Sequence, residues 1–555
     1  MLAISIAAAF LTGSRTWVGF NSPDSEFYAS LALFGDDIAD RSIDPAYTWT
    51  RLGYIAPVRL LVTTLDPWLG FAVWRFLLIA LIVGSLYAMV RMVSTRQLAT
   101  IVAGLASLNT MVLSFVGNTY LTGTIIAAIL LLLALGTWGS LAAPHRPWLP
   151  VVLSGAVAGW LVMLNPYALM LGMSMWLGLR VIALVNDPER RWRHLGRDAI
   201  AGIAGFGIVF GLLLAAGAII FPGRNWLSTY VTWNSRLDYA SFVGDPDVWR
   251  RDVALLVPVL AVAIALIAIV ATRASRWATA AVVVAVVNVA FTWSYVLLVP
   301  GPWLEAPTYV AKLWAGALAA VALGFGGLVG RRSLGVGGWA VFAAAVPLTI
   351  WAGHFDRDLS MTQALIIASA VLLLVMASAL LLRRSAGMAT GIVVVLALSS
   401  MAIGSQLLQN GRGLLGIYGQ FPLRAAYVDF DIELLMRSKV AAEEFVLANT
   451  TADDTVGIWT DADRLTAGIA AMQLWGWYNN VAQGAALSPA EAADLETRHP
   501  TAIAMYAPTR EQIDTFRASL PRWALPGEPT CTTVPFLGIG SPVAHVCVVH
   551  LQWPS

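Results

Sequence analysis

Two carboxylates two residues apart, Asp24 and Glu26 in PDSEFY, open a polar stretch in a chain that is otherwise apolar. The stretch runs from Asn21 to Arg59 and adds Asp36, Asp37, Asp40 and Asp44, then Arg51 and Arg59. A carboxylate within hydrogen-bond reach of a hydroxyl can act as its general base. Carboxylate oxygens are also ligands for hard divalent cations such as Mg²⁺ or Mn²⁺. Arginine binds phosphate through two parallel hydrogen bonds. Proton removal from a hydroxyl beside a bound phosphate is therefore the chemistry these residue types offer. Asp24 and Glu26 follow an apolar run almost directly, which puts them at membrane-surface depth. The cluster 36–44 reads as solvated loop acids.

The surrounding chain must be read as membrane protein. Of 555 residues 58% are hydrophobic and only 12% charged, against roughly a quarter charged in soluble domains. The net charge of +2 gives no global field to attract nucleic acid. Apolar runs long enough to span a bilayer as helices recur at 1–19, 71–93, 98–116, 120–138, 149–164, 166–185, 199–221, 253–271, 277–299, 308–330, 337–353, 360–382 and 388–408, thirteen in all. The first lacks a basic flank and is read as a retained span, not a cleaved signal peptide. The fold class expected is mainly α, a polytopic membrane protein of about 13 helices with a small α/β domain after residue 408. The 23 Trp residues fit interfacial anchors, and the Ala-, Val- and Arg-rich composition suits a GC-rich, actinobacteria-like bacterium.

Arginines in short loops set the orientation. Arg91 and Arg96, Arg146, Arg190 to Arg197, Arg273 and Arg276, Arg331 and Arg332, and Arg383 and Arg384 fall in alternate loops, which makes that side cytoplasmic. The loops 20–70 and 222–252 and the tail 409–555 are then extracytoplasmic, and the protein belongs in a bacterial plasma membrane. No G-x-x-x-x-G-K-[ST] run occurs, so nucleotide chemistry inside is not expected. The tail has a helical patch at 431–447 and strand-like runs at 455–459 and 543–551. Its cysteines, Cys531 and Cys547, suit an oxidising compartment, and a disulfide between them closes a short loop worth about 3 kcal/mol.

In the first loop, SEFYASLALFG and 56–66 read as two interfacial helices joined by the acidic segment 36–50. A first span, an outer loop opening with paired acids and an aromatic (Asp24, Glu26 and Tyr28), two interfacial helices, many spans and an outer C-terminal domain resemble the GT-C superfamily of membrane glycosyltransferases. The nearer likeness is to members that use polyprenyl-phosphate sugars: the protein mannosyltransferase, aminoarabinose transferase and mycobacterial arabinosyl- and mannosyltransferase types. In sequence it covers mainly residues 1–95. The family's acids are usually adjacent, whereas Ser25 separates them here. The resemblance implies an inverting transfer of sugar from a polyprenyl-phosphate donor to a hydroxyl of a glycan or lipid acceptor, with Asp24 as base and Glu26 as its partner. It covers enzymes with and without a metal, so Mg²⁺ or Mn²⁺ stays an open alternative. Cations for the departing phosphate are Arg51, Arg59, Arg75, Arg224, Arg236 and Lys312; Arg59, Arg75 and Lys312 also suit snorkelling to headgroups. Asp238, beside Trp233 and Tyr239, suits sugar binding or an interfacial belt equally. His354 reads as a loop histidine. A lipid-linked glycan flippase and a membrane ligase or acyltransferase are the competing classes. Few charges lie at mid-membrane depth, where a transporter site is expected, and no histidine is placed as an acyltransferase base.

The topology is open to direct test. A reporter fused after Ser385 should be cytoplasmic and one after Gly411 extracytoplasmic; the reverse result would put the acids on the wrong side.

Overall fold

A computed structural model describes residues 23–40, 47–65, 67–108, 121–142, 148–186, 195–236, 256–273, 275–298, 314–330, 432–460, 480–483, 487–520, 525–538 and 541–553, with single helical positions at 116, 369 and 373. The expected spans 1–19, 337–353 and 388–408 lie outside the described residues, as does 360–382 but for two positions. The other nine expected spans correspond to helices Pro67–Val93, Arg96–Leu108, Thr122–Leu141, Trp148–Leu164, Pro166–Asn186, Leu195–Ile220, Leu256–Ala271, Arg276–Leu298 and Trp314–Val329. Among the described residues four helices are long and apolar enough to cross a membrane, with hydropathy means of 1.9 to 2.5. The chain is a mainly helical, polytopic membrane protein.

The chain divides into two compact units. The first draws on Val73–Ala215 and Ser235–Arg424. Its centre is helix Thr122–Leu141, buried on almost every side, which packs on Trp148–Leu164, Pro166–Asn186 and Trp314–Val329. Between lipid-soluble helices, small residues permit the close approach that dispersion needs. A Cβ on Gly155 would drive into the carbonyl oxygen of Gly202, and one on Gly205 into that of Val152. These glycines set the contact between helices Trp148–Leu164 and Leu195–Ile220. Asn165 starts the next helix: its Oδ1 accepts the N–H of Tyr167 at 2.9 Å, and Pro166 takes the first helical position, where its missing donor costs nothing. The outer face of helix Leu195–Ile220 exposes Ile200, Ile203, Ile208, Leu212 and Ile219. An apolar row of that length is at home against acyl chains and not in water.

The second unit draws on Thr16–Ala72, Ala216–Asn234 and Ala425–Ser555. Its C-terminal part is a six-stranded sheet of β1 (Val456–Thr460), β2 (Asn480–Gln483), β3 (Ala502–Ala507), β4 (Leu525–Pro526), β5 (Thr530–Gly538) and β6 (Ser541–Gln552), in order β2-β1-β3-β6-β4 with β5 also on β6. β1 runs parallel to β2 and β3, and β6 runs antiparallel to β3, β4 and β5. Cys531 and Cys547 face each other across β5 and β6 and form a disulfide. Helices Pro489–Arg498 and Arg510–Ser519 both begin with capping boxes, Ser488 with Glu491 and Thr509 with Gln512. The Phe516 ring stacks on Trp459 at 4.1 Å in a core with Ile503, Met505, Ile513 and Val549. Burial pulls the Asp454 carboxyl up, but hydrogen bonds from Thr451 and Thr501, with His550 nearby, outweigh it and hold the group below its usual value.

The glycine contact in the first unit yields a measurement. Gly155→Leu should force the two helices apart and cost about 2 kcal/mol or more, as overpacking does, which a lowered thermal midpoint in detergent would record. Gly207→Ala on the outer face, where nothing lies within 4 Å of the new Cβ, should leave that midpoint nearly unchanged.

Candidate active site

The acidic stretch folds as helix Pro23–Phe34, a short helix Asp36–Asp40, a 3₁₀ turn Tyr47–Thr50 and helix Leu52–Thr64. Asp24 and Glu26 occupy the first turn of helix Pro23–Phe34. Their side chains lie outside the described residues.

The far end of that helix is closed by a side chain from a different helix. Gly35 takes a left-handed φ of 63°, and its N–H donates to Leu31 O at 3.0 Å. Gly35 is the glycine cap that such a helix end calls for. The guanidinium of Arg59 then donates Nη1 to the carbonyls of Ala32 and Leu33, at 3.2 and 3.0 Å. A Cβ at position 35 would lie 3.0 Å from the Arg59 guanidinium carbon, so glycine also makes room for the arginine. Burial lowers the Arg59 pKa, with the Asp37 charge acting against it. Arg59 is thus seated on a helix terminus and does not snorkel to headgroups.

Helix Pro23–Phe34 was expected as an interfacial helix on the membrane surface. Instead Tyr28, Ala29, Ser30, Leu31 and Ala32 are all buried. The Tyr28 ring meets Tyr54 edge-on at 6.2 Å, and Ser30 Oγ donates to Glu443 Oε1 at 2.8 Å. Glu443, on helix Ile432–Ala448, is fully buried. The second interfacial helix starts at Leu52, four residues earlier than expected, and carries Pro57 inside its first two turns. One side of it is buried through Leu52, Tyr54, Ile55, Val58 and Val62, while Leu60, Thr63 and Thr64 are exposed.

Segment 216–234 packs against this loop. Trp226 Nε1 donates to Thr50 O at 2.7 Å, Trp49 lies 5.5 Å from Phe221, and Gly217 leaves room for Leu52. Arg224 Nε donates to Asp36 Oδ1 at 2.8 Å, both side chains about one-fifth exposed. Asp36 is therefore paired and not solvated, which corrects the reading of the 36–44 cluster at this position; Asp37 is exposed as expected. Arg51 stands at the N-cap of helix Leu52–Thr64, its guanidinium carbon 5.8 Å from the centre of the Tyr230 ring. That ring stacks on Trp226 at 5.1 Å.

The structure thus brings Tyr28, Arg51, Arg59 and Arg224 into one unit with the helix that carries Asp24 and Glu26. Arg75 is in the first unit, 5% exposed, and so lies inside its bundle, not at headgroups. Arg236 ends helix Trp226–Arg236 with its side chain outside the described residues; Asp238, Lys312 and His354 lie outside them altogether. Among the described residues no group of three His, Cys, Asp or Glu side chains could hold a metal ion. Ser30, Glu443, Trp226 and Tyr230 were not singled out from sequence. For Trp226 and Tyr230 the four-residue aromatic spacing on a short helix was the available signal.

The fold built from these apolar helices and the C-terminal sheet is shared with a solved structure over nearly the full length of both chains. In particular, the chain is similar to the crystal structure of ArnT from Cupriavidus metallidurans bound to undecaprenyl phosphate, with a TM-score of 0.51 and 14% identity over 98% of this chain and 96% of that one. The arabinofuranosyltransferase AftD from Mycobacteria (TM-score 0.48, 15% identity, 100% of this chain and 40% of that one) and the Archaeoglobus fulgidus oligosaccharyltransferase (0.40, 11%, 91% and 69%) are likenesses too loose to carry an argument. No protein-family model and no curated protein matches the sequence.

The Asp36–Arg224 pair can be weighed by a double-mutant cycle. Asp36→Asn and Arg224→Gln should couple by about 1 kcal/mol, the upper end for a pair with solvent access. Additive losses in thermal stability would show that the pair does not fasten segment 216–234 to the acidic loop.

Proposed function

We propose that the chain is an inverting glycosyltransferase that moves a sugar from a polyprenyl-phosphate donor to a hydroxyl of a cell-envelope glycan or lipid. The observation that carries this reading is the full-length likeness to ArnT, a protein crystallised with undecaprenyl phosphate. The acids at the head of helix Pro23–Phe34 and the arginines of the same unit support it. The reaction takes place at the outer face of a bacterial plasma membrane, with thirteen spans and the C-terminal sheet on the outer side, as the arginine alternation reads.

Asp24 accepts the proton of the acceptor hydroxyl, and Glu26 is its partner. The hydroxyl oxygen attacks the anomeric carbon from the side opposite the lipid phosphate. The bond between that carbon and the phosphate oxygen breaks, and both its electrons leave with polyprenyl phosphate. A cation near the leaving oxygen stabilises the charge that develops there. Arg51, whose guanidinium lies over the Tyr230 ring, is one candidate for this role, with Arg59 and Arg224 in the same unit. Lys312 and Arg236 are further candidates, and Asp238 a sugar contact. The Trp226–Tyr230 pair offers aromatic faces of the kind that stack on pyranose rings. A divalent cation on Asp24 and Glu26 would supply charge stabilisation to the phosphate.

Purified full-length Asp24→Asn, assayed for sugar transfer from a polyprenyl-phosphate donor, should lose activity by about 10²-fold or more, the share of a general base. Binding of the donor lipid should persist. Turnover near that of the unaltered protein would remove Asp24 as base.

A further inference from the structure

Helices Pro67–Val93 and Thr122–Leu141 enclose an open cavity of about 480 Å³ on their outer side, in the first unit. Its walls are almost wholly apolar, from Ala80, Leu81, Leu131 and Leu135 at one end to Tyr87 and Trp138 toward the other. Arg91 lies at the closing end and is exposed. Its Nη1 donates to Ser94 O at 3.3 Å, just past the end of its helix, and among the described residues no carboxylate lines the cavity.

Three features fit one kind of occupant. Ala80 to Arg91 is eleven residues, or about 16 Å of helix, close to half the roughly 30 Å hydrocarbon core of a bilayer. The groove therefore has about the depth of one leaflet, and Arg91, the one charge among its described lining residues, stands at the end where the headgroup of that leaflet lies. Tyr87 and Trp138 are amphipathic rings of the type found at that depth. Gly84 opens the middle of the groove: nothing lies within 4 Å of where its Cβ would be. Ser85, also in the lining, is 4% exposed and its Oγ has no hydrogen-bond partner among the described residues.

We infer that this groove is a binding site for one anionic phospholipid, an acyl chain lying along Gly84 and the phosphate on Arg91. None of its described lining residues belongs to the acid-bearing loop. Basic pockets between membrane helices bind anionic headgroups by the same logic. The arginine alternation assigns the lipid to the cytoplasmic leaflet, the side opposite the proposed chemistry.

The experiment is lipid retention. Full-length protein in detergent is equilibrated with equal amounts of phosphatidylglycerol and phosphatidylcholine, washed, and read by native mass spectrometry. The unaltered chain should keep one phosphatidylglycerol, with a preference of about five-fold, the size of one arginine's attraction to an anionic surface. Arg91→Gln should bring the two lipids to parity. Gly84→Leu, placed in open space and so compatible with folding, should cut retention of both. Equal retention of the two lipids by the unaltered chain, or a preference that survives Arg91→Gln, overturns the headgroup assignment; full retention by Gly84→Leu overturns the groove.

Discussion

The C-terminus of helix Pro23–Phe34 is closed by Arg59, and the position of the acids at the other end follows from that closure. The last carbonyls of a helix have no partner of their own. A cation placed there satisfies them and meets the negative end of the dipole. Gly35 is required twice over, for its positive φ and for the space beside the guanidinium. Because Arg59 belongs to helix Leu52–Thr64, the bond fixes one short helix against another through a rigid, planar group. Rigid placement matters for the proposed base, since small misplacement of a reacting group costs much of its effect.

The remaining polar contacts of the unit hold the same helix from other sides. Ser30, one turn beyond Glu26, donates to a carboxylate that is fully buried. Asp36, just past the helix end, is tied to Arg224 in segment 216–234. Trp226 closes the 3₁₀ turn by its bond to Thr50. Buried charges of this kind are expensive unless hydrogen-bonded. Their yield is direction: each bond specifies one angle that apolar packing alone would leave soft.

How much of this could be read from sequence follows the range of the interactions. Nine helices were visible as apolar runs, because span length is imposed by the bilayer and appears locally. Gly35 at the end of a helical pattern was a local signal for its cap. Helix Ile432–Ala448 and the strands β1 and β6 were visible for the same reason. The Asp36–Arg224 and Ser30–Glu443 contacts join residues 188 and 413 positions apart, and no pattern in either segment announces the other. That is why Asp36 read as solvated. It is also why helix Pro23–Phe34 read as lying on the membrane: Phe27, Leu31 and Leu33 have the spacing of an apolar face, and spacing does not say whether lipid or protein covers it.

That ambiguity has a physical root in the solvent. In water an apolar helix face is a statement about the core, because only the core can cover it. In a bilayer both lipid and protein cover it at little difference in transfer energy. Helix Leu195–Ile220 and helix Thr122–Leu141 have similar hydropathy, 2.5 and 2.1, yet 11% of the first helix's most apolar window is buried and 78% of the second's. The buried helix is met closely by its neighbours at small residues, Gly136 by the Trp176 ring and Gly139 by Pro150, and by polar side chains that must be satisfied. Polar and small residues therefore carry the tertiary information in this chain, and the large aliphatics carry only the membrane. The acid-bearing helix is held by the first kind, through Gly35, Arg59 and Ser30, which is why a short helix with an unremarkable apolar pattern can occupy one defined place.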